Sequence, residues 1–277
     1  MGLNRSQRAR LAQETIEIIA AGHYLSPAGR HVDIAAAVAA AVSGTREFPP
    51  DSAVVLPREL AGRHATAIVV GNETTLSAAR RSAARHRTAV LNFASAKNPG
   101  GGFLSGSEAQ EESLSRSSSL YACLKGRSMY DFHRGRDDNL YTDYVIYSPD
   151  VVVFRDDGGK LLQQPFTCAF LTSPAPNAGA VLERDSSRGG DVRGALRTRV
   201  RKVLATAAVH GHDAVILGAW GCGVFRNDPG DVAGEFQAAL HGEFAGVFKA
   251  AWFAVLDHSD GRGVIAPFER AFGTAPG

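Results

Sequence analysis

Beyond residue 67 the chain alternates short apolar runs with helical stretches, and two of the apolar runs end in glycine-rich loops. The runs cover residues 67–70, 89–93, 144–147, 151–154, 168–171, 214–217 and 251–256. They lack the polar alternation of a strand with one wet face, so the sheet they form must be covered on both sides. Helical periodicity is expected over 74–86, 108–124, 192–209 and 229–240. The alternation predicts an α/β fold, and in such sheets ligands bind at the carboxyl ends of the strands.

The first fifty residues read differently. A helix is expected over 5–21, ending at Gly22, and a second from Asp33 through 42. Pro49-Pro50 and a strand-like stretch over 53–56 mark a boundary. The expected organisation is a helical N-terminal extension over 1–50 and a larger domain over 51–277. Met1 to Ser6 fits the loose N-myristoylation pattern, but no second membrane signal accompanies it, so a helix start is the expectation. No apolar run of signal-peptide length is present, and a cytoplasmic protein without membrane attachment is expected.

Composition narrows the function. A formal charge of +2 over 277 residues does not predict nucleic-acid binding, although it tolerates an anionic ligand. Cys123, Cys168 and Cys222 are odd in number and widely spaced, which suggests neither disulfides nor zinc. His210-Gly-His212-Asp213 has no further ligands at suitable spacing, so no metal is expected.

The two glycine loops are Asn98-Pro-Gly-Gly-Gly102 and Gly218-Ala-Trp-Gly-Cys-Gly-Val-Phe225, and the second leads into a helix with Asp228 at its N-cap and Pro229 at N1. Glycine lets backbone N–H groups approach a diphosphate, and a helix N-terminus favours an anion. Glycines also make plain tight turns, but two such loops after two parallel-type strands point to a ligand cleft. Seven residues past the first loop stands Gln110-Glu111-Glu112. Ser107 and Gln110 have capping-box spacing, which would put both acids in the first turns of a helix, Glu111 facing away from its apolar arc and Glu112 near the edge. Acids are favoured there without any chemistry. Glycosidic cleavage nevertheless requires a carboxyl to protonate the leaving oxygen and then activate water.

The Gly-Gly-Gly, short spacer and Gln-Glu-Glu arrangement resembles the signature of poly(ADP-ribose) glycohydrolases. The run from Val90 to Leu104 is similar to the compact bacterial branch, and the loop from Gly218 to Phe225 resembles the diphosphate loop of the macrodomain fold. The resemblance spans roughly residues 52–256. It implies a macrodomain-like mixed β-sheet between helices and a hydrolase that releases ADP-ribose from the polymer without a cofactor.

Residue by residue, it implies Glu112 as the catalytic acid and base, Glu111 as the holder of ribose hydroxyls and Gln110 as support. Gly100, Gly101 and Gly102 would approach the distal ribose and phosphate. Gly221, Cys222, Gly223 and Val224 would line the diphosphate, with Phe225 packed on the terminal ribose. The macrodomain asparagine that contacts the distal ribose is replaced here by Ser95, leaving that contact to Ser95 or Asn98. Phe268 is a candidate for stacking on adenine, although an isolated aromatic is more often core. Cys222 has no activating base adjacent in sequence and is expected to offer its backbone. The partners implied are poly(ADP-ribose), ADP-ribose and ADP-ribosylated proteins, met by a monomer that does not bind nucleic acid. A non-catalytic ADP-ribose reader or a hydrolase of a mono-ADP-ribosyl or phosphate derivative are the rival readings. A reader has no chemical need of Gln110-Glu111-Glu112.

Overall fold

The computed structural model describes residues 3–273; Met1 and Gly2 of the acylation pattern lie outside the described residues. Helix α1 (Arg5–Ala21) opens on a reciprocal cap between Asn4 and Gln7 and closes at left-handed Gly22. A hairpin then intervenes where a helix start was expected. Strands β1 (His23–Leu25) and β2 (His31–Asp33) pair antiparallel, and Asp33 accepts from the Ala35 amide at 2.9 Å, so α2 (Ala35–Gly44) begins only there.

The remaining elements are β3 (Arg46–Phe48), β4 (Ala67–Gly71), α3 (Thr75–Ala83), β5 (Thr88–Phe93), α4 (Gln110–Ser117), α5 (Leu120–Leu124) and α6 (Ser128–Arg134). They continue with β6 (Val145–Arg155), β7 (Leu161–Ser173), α7 (Ala178–Arg184), α8 (Gly189–Val209), β8 (Ala214–Leu217), α9 (Pro229–His241), β9 (Ala250–Ala254) and α10 (Ile265–Phe272). Among the described residues no helix is long and apolar enough to cross a membrane.

The seven-stranded sheet runs β3-β6-β7-β5-β8-β9-β4. From β7 to β4 neighbours are parallel, while β6 pairs antiparallel with both β7 and β3. The mixed sheet is covered on both faces. Along β5, Ala89 and Leu91 enter the core that contains α8, α9 and α10, and Val90 enters the opposite core with α3 to α6. Each large apolar side chain buried in this way contributes about 1.5–3 kcal/mol. The parallel pairing of β5 with β8, Thr88 opposite Ala214, makes the two glycine-loop strands immediate neighbours.

Three local expectations are corrected. Residues 53–56 form no strand; Val54 and Leu56 pack against the core without joining a ladder. The helix expected over 108–124 breaks at Ser118, because the Ser119 amide donates to Val152 O at 2.9 Å and Ser119 Oγ accepts from the Val152 amide at 3.1 Å, pulling the chain onto β6. Phe268 is fully buried beside Phe253 and is core.

Helix α1 lies against the loop that follows β5. Arg5 Nε donates to Ser105 O at 3.0 Å, Arg8 Nε donates to Gly106 O at 2.8 Å, and buried Thr15 donates to Arg116 O at 2.6 Å.

Candidate functional site

The site starts at the end of β5. Gln110 clasps that strand: its Oε1 accepts from the Phe93 amide at 2.8 Å, and its Nε2 donates to Leu91 O at 2.7 Å and Thr75 Oγ1 at 3.3 Å. With the glutamine so engaged, no capping box forms. The helix is entered from Ala109 without a side-chain cap, and Ser107 instead closes the preceding turn by donating its amide to Gly102 O at 3.2 Å.

Both acids turn toward the glycine loop. Glu112 Oε1 accepts from the Gly102 amide at 2.9 Å. Glu111, expected to face away from the core, is 3% exposed; its Oε2 accepts from the Ser95 amide at 2.6 Å and its Oε1 from Asn92 Nδ2 at 3.3 Å. Gly101 adopts φ +60, and a Cβ there would collide with Glu112 Oε1 and stand 2.9 Å from its Cδ and 3.3 Å from Glu111 Oε2. Gly100 is left-handed too, at φ +70. The loop therefore needs glycine because the carboxylates occupy the space a side chain would fill.

Burial pushes the Glu111 carboxyl up to about 8, against the Ser95, Asn92 and Gly100 donors that favour its charged form, and the Glu112 charge adds to the rise. Asn92 is suited to either state. Its Nδ2 serves a carboxylate, and its Oδ1, which has no partner, would serve a protonated acid if the amide turned over. Because the folded-state pKa lies above the ~4.3 of an unfolded glutamate, this group's contribution to stability is full below that pH and is lost as pH rises through about 8. Glu111→Gln should therefore gain on wild type by roughly 1.4 kcal/mol per pH unit across that window. Thermal unfolding of both proteins at pH 5 and pH 8 checks this; parallel stability curves would mean that Glu111 is already ionised at pH 5.

Ser95 reaches Glu111 through its backbone, while its hydroxyl accepts from the Asn98 amide at 3.1 Å. The Asn98 residue is exposed. Asn92 and Thr172, joined at 3.1 Å, were not singled out in the sequence. The available signal was an amide in an otherwise apolar strand.

The second loop leaves the neighbouring β8. Gly218 packs so closely that a Cβ would meet Phe93 Cζ at 3.1 Å. Gly221 is left-handed, its missing Cβ replaced by the Asn227 amide group. Asp228 caps α9 as expected, accepting from the Gly230 and Asp231 amides. A Cβ on Gly223 would meet nothing within 4 Å, and Val224 is 87% exposed. Phe225 lies 5.9 Å from Tyr141, ring to ring. Burial pushes the Cys222 thiol up to about 12, which leaves it protonated at neutral pH.

Beside the second loop a cavity of about 660 Å³ is lined by Phe93, Gln110, Cys222 and Gly223, by Val255, Leu256, His258 and Val264, and by Ser113 and Arg116 of α4. Asp257 fixes its outer wall by accepting from the Ser259, Val264 and Ile265 amides. His210 stacks on Tyr147 at 3.8 Å, and His212 Nε2 lies 3.0 Å from the Tyr147 hydroxyl, so both are committed to packing away from this cavity. Among the described residues no three His, Cys, Asp or Glu side chains are grouped to hold a metal.

A family model described as the microbial-type PARG catalytic domain matches residues 12–156. The solved structure of poly(ADP-ribose) glycohydrolase from Thermomonospora curvata bound to the inhibitor ADP-HPD is 50% identical, with a TM-score of 0.88 over 97% of this chain and 100% of that one. Another structure of the Thermomonospora curvata enzyme gives 51% identity and a TM-score of 0.90 over the same shares. The Deinococcus radiodurans enzyme in complex with ADP-ribose is 44% identical, with a TM-score of 0.78 over 84% of this chain and 96% of that one. No curated protein matches.

Proposed function

The chain belongs to the microbial-type poly(ADP-ribose) glycohydrolases and is a glycosidase, and from that premise we propose how its residues divide the work. The supporting observation is the convergence of Glu111 and Glu112 on Gly101, at the end of the strand adjacent to the one that bears the second glycine loop. Glu112 protonates the ribose–ribose oxygen as the bond to the terminal ribose breaks through an oxocarbenium-like state. It then takes a proton from the attacking water, and ADP-ribose leaves.

Glu111, buried behind it, holds ribose hydroxyls, and Gln110 keeps α4 in register with β5. The backbone of Gly100, Gly101 and Gly102 lets the distal ribose and phosphate approach. The backbone of Gly221, Cys222, Gly223 and Val224 takes the diphosphate, and Phe225 orients the terminal ribose. The adenosine half occupies the cavity between Phe93 and Val255–Val264. Polymer carried on ADP-ribosylated proteins is the expected form of the substrate.

Labelled poly(ADP-ribose) incubated with the protein and resolved by chromatography should yield free ADP-ribose; polymer left intact would sink the reading. Gly221→Ala tests the diphosphate assignment. Its methyl group would collide with the Asn227 side chain and lie 2.6 Å from Ala175 Cβ, at φ +73. ADP-ribose affinity measured by calorimetry should fall at least about tenfold, and unchanged affinity would remove this loop from the site.

A further inference from the structure

Tyr141 has a left-handed backbone, φ 55, which a bulky residue seldom adopts unless its surroundings force it. Here they do. Arg199, 1% exposed, spends its guanidinium on the carbonyls on either side, with Nε donating to Thr142 O at 2.9 Å and Nη2 donating to Leu140 O. His133, also fully buried, holds Thr142 through its Nε2, 2.8 Å from Thr142 Oγ1. A glycine would make this turn without strain, so the investment goes into presenting a phenol ring.

The ring is presented to Phe225, at the end of the second glycine loop. It lies 5.9 Å from Phe225 and 5.7 Å from His133, and its segment is tied to the Phe225 loop by two backbone bonds, Asn177 N to Asn139 O and Gly179 N to Phe225 O, both 2.9 Å. Tyr141 is half-buried, and among the described residues its hydroxyl has no hydrogen-bond partner. The nearby carboxylates are already engaged: Asp131 with Arg134, Asp137 with Arg184 and Asp138 with Arg188.

The substrate of the proposed reaction has a group to meet that ring. In the proposed reaction the departing oxygen is the 2′-oxygen of an adenosine, so a purine lies one sugar beyond the scissile bond. We propose that Tyr141 is the platform of a subsite for the leaving ADP-ribose unit, its ring stacking on that unit's adenine beside the terminal ribose held by Phe225. The subsite rests on the glycohydrolase reading and extends it from the unit released to the unit left behind.

The test compares poly(ADP-ribose) with an aryl glycoside of ADP-ribose, whose leaving group carries no nucleoside. Tyr141→Ala should raise KM for the polymer about tenfold, the worth of one base–aromatic stack. Its kcat, its turnover of the aryl glycoside and its ADP-ribose affinity should stay within twofold of wild type, and Tyr141→Phe should behave as wild type on both substrates. Tyr141→Gly relieves the backbone strain, so it should match the alanine variant's KM while melting at a higher temperature than wild type.

Equal losses on the two substrates would reduce Tyr141 to a support for Phe225 and overturn the subsite. So would an unchanged polymer KM in either the alanine or the glycine variant. A wild-type protein inert on both substrates would overturn the glycohydrolase reading and the subsite together.

Discussion

Glu112→Gln is expected to lower the release of ADP-ribose from poly(ADP-ribose) by about 10³-fold, within the 10²–10⁴ that a general acid–base contributes, while binding ADP-ribose within a few-fold of wild type. The amide keeps the carboxylate's shape and an oxygen for the Gly102 N–H, now 2.9 Å from Glu112 Oε1, so the turn need not rearrange. It loses the proton it would give to the leaving oxygen and the base it would become. Glu112→Ala should be as inactive and somewhat less stable, because the Gly102 donor then lacks its partner. Product release followed by chromatography, alongside calorimetric titration with ADP-ribose, separates the two quantities. A glutamine variant cleaving within tenfold of wild type would move the acid role elsewhere, with buried Glu111 the remaining carboxyl of the pair.

How far this site was legible depended on whether its residues interact locally or across the sheet. The glycine loops and the Asp228 cap are local chemistry, and each forms where the residues indicate it. The adjacency of β5 and β8 is a matter of strand order, which apolar runs alone do not encode, yet it sets the strands that bear the two loops side by side. The helix break at Ser118 was hidden because serine neither forbids a helix nor announces the bond to Val152 that ends it. The same applies to Gln110: its spacing from Ser107 suggested a cap, but Leu91 and Phe93, distant in the helix's own frame, offered better partners. The cavity wall beyond Val255 carries no motif at all. It is shaped by Asp257 gathering the amides around it.

Gly101→Ala should cost nearly as much activity as losing the acid itself, on the order of 10²–10³ in kcat, although it removes no functional group. Two effects act on it. At φ +60 any side chain adds backbone strain of about 1 kcal/mol or more. The methyl would also collide with Glu112 Oε1, with Glu112 Cδ only 2.9 Å and Glu111 Oε2 3.3 Å away. The Glu112 carboxylate must leave the Gly102 amide to make room, whereas Glu111, pinned by Ser95 and Asn92, has nowhere to go. Gly126→Ala separates the two causes. Gly126 has φ +77 but no atom within 4 Å of its missing Cβ, so that variant carries the strain without the collision. It should lose about 1 kcal/mol of stability and keep its kcat. If Gly101→Ala also keeps its kcat, losing only stability, the carboxylate can work from a second position and the close fit of acid to glycine is not what sets the rate. A kcat that falls only in Gly101→Ala assigns the loss to displacement of Glu112, and makes the glycine as much a requirement of the chemistry as the carboxyl it accommodates.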